Sequence, residues 1–225
     1  MNAISEKTGA ARVFGKVEAA FDVLYLAAAV CIGLVLLLDS VGNGSRSLAG
    51  IMALVLAGGD AFHLIPRINL ILSGREEELR AVLGRGKQIA SITMTVFYLL
   101  LWQIGLRVLS PAVEDIWTYI LYLLAALRIL LCLLPQNRWE ERFPPVSWGV
   151  RRNIPFFIQG MLVAALFFVR RDSAEGMDFA WLAILLSFLF YLPVVLFANK
   201  NPKIGMLMLP KTCTYIWILA MCLSL

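Results

Sequence analysis

Apolar residues fall in seven runs separated by short polar connections: 19–38, 48–72, 88–109, 116–134, 154–169, 179–198 and 204–225. About 20 apolar residues are enough for a helix to cross a bilayer. The fifth run is short, and extension into Asn153 or Arg170 is expected. Leu, Ala and Phe dominate the runs, and the short alternating segments of a membrane barrel are absent. Each run therefore reads as a helix. The expected fold is an all-α integral membrane protein, one domain of seven transmembrane helices over residues 1–225.

The pattern is broken inside the second run. Asp60, His63 and Arg67 follow one another at i, i+3 and i+7, which puts all three on one face of a helix. Charges at membrane depth cost roughly 2.5–3.5 kcal/mol each on insertion scales, so such groups face a protein interior or a wet cavity. His63 is the only histidine of the chain. The same run carries Ala49, Ala53, Ala57 and Ala61 at four-residue steps, with Gly58 and Gly59 beside them. Small residues in a ladder let a second helix approach closely. Pro66 removes the backbone bond toward Phe62, so a kink is expected there.

Basic residues in the connections set an orientation. Thirteen lie on one side: Lys7, Arg12 and Lys16, then Arg75, Arg80, Arg85 and Lys87, then Arg138, Arg142, Arg151 and Arg152, then Lys200 and Lys203. Four lie on the other: Arg46, Arg107, Arg170 and Arg171. The richer side is expected to be cytoplasmic, with the N-terminus inside and the C-terminus outside. The first run is longer than a signal-peptide core and no A-x-A-like site follows it, so it is read as a retained helix.

The third and seventh runs resemble each other. Gly86, Thr93, Thr95 and Tyr98 are matched by Gly205, Thr212, Thr214 and Trp217 at a constant offset of 119. Pro66 and Pro193 sit near equivalent ends of the second and sixth runs. The first and fifth both exit into Asp-Ser, at Asp39-Ser40 and Asp172-Ser173. Together these suggest a 3+1+3 parallel repeat, two three-helix units joined by the fourth helix. In helix count and repeat order this plan resembles sugar-efflux SWEET transporters, PQ-loop transporters and KDEL receptors. No Pro-Gln pair opens the first or fifth helix, and no residue role is carried over.

Composition adds little to this pattern. The chain is 60% hydrophobic, with mean hydropathy +0.81 and formal charge +5. The basic residues are dispersed as loop charges, so no nucleic-acid partner is expected. Cys31, Cys132, Cys213 and Cys222 all lie in apolar runs without CxxC spacing and read as small hydrophobes. Seven-helix hydrolases of the adiponectin-receptor and alkaline-ceramidase type hold zinc with three histidines, and this chain has one. Lysoplasmalogenase-like enzymes rely on paired acids, which Gly59-Asp60 resembles only loosely. No P-loop or dinucleotide fingerprint is present, and no cofactor or metal is expected.

With the orientation applied, several polar residues share one depth. Asp60, His63, Arg67 and Lys211 are the candidate ligand contacts, joined by Ser91, Thr95, Gln159 and Tyr191. Asp60 would form the floor, since it lies deepest. Asp22 and Arg128 fall at similar depth, but an arginine can also snorkel to an interface, as Arg67 and Arg107 can. The expected function is transport or binding of a small polar or amphipathic ligand, with a cationic bias toward an anion, in a cytoplasm-facing cavity. The alternatives are an intramembrane enzyme on a lipid, with Asp60 and His63 as acid–base pair, or a structural subunit. The expected partners are membrane lipids and a small-molecule ligand; oligomeric state stays open.

Overall fold

A computed structural model describes residues 2–109, 114–171 and 176–225, with side chains of 2–13 and of Pro202 left aside. Its helices are α1 (Asn2–Leu38), α2 (Gly44–Ser73), α3 (Glu76–Leu109), α4 (Asp115–Leu133), α5 (Val146–Val169), α6 (Ala180–Phe197) and α7 (Met208–Met221). Short 3₁₀ turns cover Pro135–Asn137, Pro202–Leu207 and Cys222–Ser224. No strand occurs among the described residues. Seven helices are long and apolar enough to cross a membrane, the last counted with its flanking turns as Lys203–Ser224.

The helix ends follow local chemistry. Asn43 starts α2, its side chain accepting from the backbone N–H of Ser45 and Arg46 at 3.1 Å each. Gly74 stops it in the left-handed region at φ 72°, its N–H bonded to Leu70 O at 2.8 Å. Glu76, Glu77 and Glu78 then open α3, where carboxylates favour a helix N-terminus.

Two helices begin well before the apolar runs that announced them. α3 starts at Glu76 rather than at 88, and α5 at Val146 rather than at 154. The added turns carry charges, Glu76 to Glu78, Arg80, Arg85 and Lys87 in α3 and Arg151 and Arg152 in α5. Ion pairs Arg75–Glu78 and Arg80–Glu77 lie along the helical surface, and Arg85–Glu140 and Arg142–Glu76 tie α3 to the connection after α4. Hydropathy marks only the apolar length of such a helix.

The packing forms a closed circuit: α1 on α2, α2 on α3, α3 on α5, α5 on α6, α6 on α7, and α7 back on α1. α4 lies outside it, wedged against α3 and α5. The small-residue ladder does what its spacing predicts. A Cβ at Gly59 would strike the Thr93 side chain, and one at Gly86 would strike the carbonyl of Phe62, so α2 and α3 are in backbone contact. Gly205, matched to Gly86 in the sequence repeat, has open space around it. Asp172-Ser173, the other end of that comparison, lies outside the described residues. Pro66, Pro155 and Pro193 all sit inside continuous helices.

An aromatic core fills the centre. Phe97, Tyr98, Phe156, Phe188 and Tyr215 meet mostly edge to face, with centroids 5.1–5.8 Å apart. Tyr98 shares a hydrogen bond with Ser187 (3.2 Å), so its hydroxyl is not stranded. Large apolar side chains instead cover the outside: Leu24, Leu38, Leu123 and Leu189 are each at least 63% exposed.

Candidate functional site

Below the aromatic core, α2 to α7 enclose a cavity of about 330 Å³. That is the low end of the range for small-molecule sites, about 300–1,000 Å³. Its rim is the connection between α4 and α5, with Trp139, Pro144 and Pro145, and Asn199 after α6. The rim is held to the helices: Trp139 Nε1 donates to Cys132 O at 3.0 Å, and Asn137 Nδ2 to Leu134 O at 2.8 Å.

Asp60 and His63 both line this cavity, one helical turn apart on α2. Asp60 accepts a hydrogen bond from Tyr25 of α1 at 2.6 Å. No hydrogen bond joins it to His63 among the described contacts. The cation whose field acts on it is Lys211, although the two form no ion pair within 4 Å. His63 has Lys87, Arg67 and Lys211 as its charged neighbours, and its buried Nδ1 finds no partner.

Lys211 enters from the first turn of α7, buried at the cavity wall. Its ammonium stands 4.5 Å from the ring centre of Tyr215 and 5.4 Å from that of Tyr191. Both rings offer it their negative faces. The Tyr191 hydroxyl donates to Asn153 Oδ1 at 3.1 Å, and Asn153 in turn donates to Gly149 O at 2.8 Å. The ring is thereby fixed as a wall of the cavity.

The remaining sequence candidates divide. Ser91 lines the cavity, its hydroxyl bonded to Lys87 O at 2.8 Å. Thr95 lies one turn further on α3, buried and bonded to Ser91 O at 3.0 Å. Gln159 donates to Thr95 O at 3.2 Å and joins α5 to α3 behind the wall, while its buried Oε1 is unpartnered. Arg67 is directed elsewhere. It pairs with Glu18 of α1 at 2.9 Å, with 43% of its side chain exposed, and does not line the cavity.

Three cations that the sequence did not single out as ligand contacts complete the wall. Arg128 of α4 is 1% exposed, its guanidinium carbon 3.2 Å above the Phe156 ring. Its Nε and Nη1 are buried with no hydrogen-bond partner, and among the described residues no carboxylate pairs with it. An arginine so placed has not snorkelled. Arg152 of α5 donates to Asn137 Oδ1 at 2.8 Å and stacks 4.0 Å from the Trp139 ring. Lys87 of α3 stands at the open side. Arg128 was visible in the sequence as the one charge within 116–134, and only the packing of α4 shows which way it faces.

No family model matches this chain, nor does any curated protein or solved structure. Among the described residues, four cations line the cavity against one carboxylate, Asp60. Among the described residues no group of three or more His, Cys, Asp or Glu side chains is placed to hold a metal ion.

Proposed function

We propose that the chain is an integral membrane protein that binds a small anionic, partly apolar ligand in this cavity, as a carrier of that ligand. The single observation behind the reading is Arg128. A buried guanidinium without a carboxylate is costly, by several kcal/mol, and two of its nitrogens lack any partner. An anion entering the cavity would supply what they lack. Lys211, Lys87 and Arg152 surround the same space and favour the same sign of charge. Phe156, Met94 and Val194 offer apolar wall for the rest of the molecule.

The membrane reading rests on the seven apolar helices and on their exposed leucines, which bilayer hydrocarbon would cover. The cavity rim lies on the side with thirteen basic connection residues, so it faces the cytoplasm. The enzymatic alternative has less support, because Tyr25 rather than His63 is the hydrogen-bond partner of Asp60.

Equilibrium dialysis of the purified protein against benzoate, phenyl phosphate and benzyl alcohol tests the reading. Saturable binding of at least one of the two anions, and none of the alcohol, is expected. Arg128→Met should weaken the bound anion at least about tenfold, the weight of one charged hydrogen bond. Equal binding of the alcohol, or unchanged affinity in Arg128→Met, would overturn it.

A further inference from the structure

α1 carries a row of protonatable groups that the ligand cavity does not use. Glu18, Asp22 and Tyr25 follow at i, i+4 and i+7, one face of one helix. The face lies against α2 in antiparallel register. Glu18 meets Arg67 at 2.9 Å, and seven residues further along each helix Tyr25 meets Asp60 at 2.6 Å. Asp22 lies between these contacts. It is 6% exposed, forms no ion pair among the described residues, and has Glu18, Arg67 and Asp60 as its charged neighbours. Tyr25 feels both Asp22 and Asp60. The outer end of the row is wet: the Glu18 side chain is 20% exposed and that of Arg67 43%. The inner end, Asp60, is the one carboxylate among the described residues that line the cavity.

We propose that anion binding in the cavity is linked to proton uptake at Asp60, and that Glu18, Asp22 and Tyr25 form the proton's route from the aqueous edge of α1. The proposal rests on the anion-binding reading above.

Charge balance supplies the reason. Asp60 is faced by Tyr25 and Asp22 from α1 and by Lys211 and Tyr215 from α7, while His63 on its own helix and Lys87 and Ser91 of α3 line the same cavity. Lys211 is the cation that acts on it. An incoming anion draws on the same ammonium. Asp60 then keeps a negative charge beside a second one, and a proton on its carboxylate removes the conflict. By linkage the proton favours the anion as much as the anion favours the proton.

The transfer balances without any co-reactant. A proton from bulk solution adds to the Glu18 carboxylate, moves on to Asp22 and from there to the Tyr25 oxygen, as Tyr25 gives its own hydroxyl proton to Asp60 Oδ2, so that Glu18 and Asp22 end as they began. Tyr25 is neutral before and after. One anion and one proton enter together, and the site's net charge is unchanged.

The test uses the full chain in lipid nanodiscs, in weakly buffered solution with a pH-indicating dye, near neutral pH. Benzoate and phenyl phosphate are the probes, and dialysis of the same sample gives the anion bound. About one proton should leave solution per singly charged anion bound. In Asp60→Asn, whose neutral side chain stands in for the protonated acid, anion binding should bring no proton uptake, and its affinity should no longer fall as the pH is raised. Asp22→Asn should bind equally well but take up the proton at least about tenfold more slowly in stopped flow, since a break in the row leaves only slower routes. Anion binding without proton uptake in the unaltered protein overturns the linkage and leaves the anion reading standing. Uptake that persists in Asp60→Asn, or an unchanged rate in Asp22→Asn, overturns the route. Failure to bind either probe overturns the anion reading and this inference together.

Discussion

Arg128 is the residue on which the functional reading depends, and its physical chemistry has an unusual consequence. It lines the cavity wall at 1% exposure, yet two of its nitrogens are unsatisfied. Replacing a whole buried ion pair with apolar groups of similar volume is often neutral or stabilising, by about 1–4 kcal/mol, and here no pairing carboxylate would be left behind. Arg128→Met should therefore raise the thermal unfolding midpoint of ligand-free protein while weakening anion binding. An arginine kept only for packing on Phe156 would instead leave a less stable protein. Thermal scans of both proteins, dialysed free of ligand, distinguish the two. At this scale the sequence was partly legible. Asp60, His63 and Lys211 stand out because ionisable groups in apolar runs need a reason. Tyr25 gave no such signal, because a tyrosine in an apolar run is ordinary until the register of α1 on α2 brings its hydroxyl to Asp60. Arg67 shows the reverse. Its helical spacing with Asp60 and His63 is real, but Glu18 of α1 captures it, and the partner helix could not be read from α2 alone.

Among the elements, the α2–α3 pair is the tightest contact, and its glycines separate close approach from empty space. Gly86→Ala puts a methyl into the Phe62 carbonyl, a backbone atom that cannot swing aside. Overpacking of this kind costs about 1–3 kcal/mol, and here the helices themselves must part. Gly58 lies on the same stretch of α2 with nothing within 4 Å of a new Cβ. Gly58→Ala should be neutral or stabilising by up to about 1 kcal/mol, because it removes backbone freedom from a helix interior. Unfolding midpoints in detergent should rank Gly58→Ala at or above the unaltered protein and Gly86→Ala well below it. The small-residue ladder foretold a close neighbour for α2 but not which helix it would be. Helix lengths were foretold less well, since the charged turns of α3 from Glu76 continue the helix on paired Arg and Glu side chains, where hydropathy is silent.

For the whole molecule, the seven helices were legible because runs of about 20 apolar residues have few other uses. The circuit that α7 closes on α1, with α4 outside it, was not, because contacts between distant segments leave no period in the sequence. Orientation is a property of this scale too. The thirteen basic residues against four are the ground on which we propose a cytoplasmic N-terminus, with Leu225 outside. A reporter fused after Leu225 that works only outside the cytoplasm should be active, and activity there of a reporter confined to the cytoplasm would reverse the arrangement. The cavity would then open outward, and the proton row with it.

Native mass spectrometry of the protein released directly from its membrane asks what the cavity holds in the cell. A bound acid should appear as a discrete added mass, identified as an anion after release, and Arg128→Met purified in the same way should lack it. An empty cavity in the unaltered protein, a neutral or cationic occupant, or an acid retained in full by Arg128→Met would contradict the assignment of this cavity to an anion.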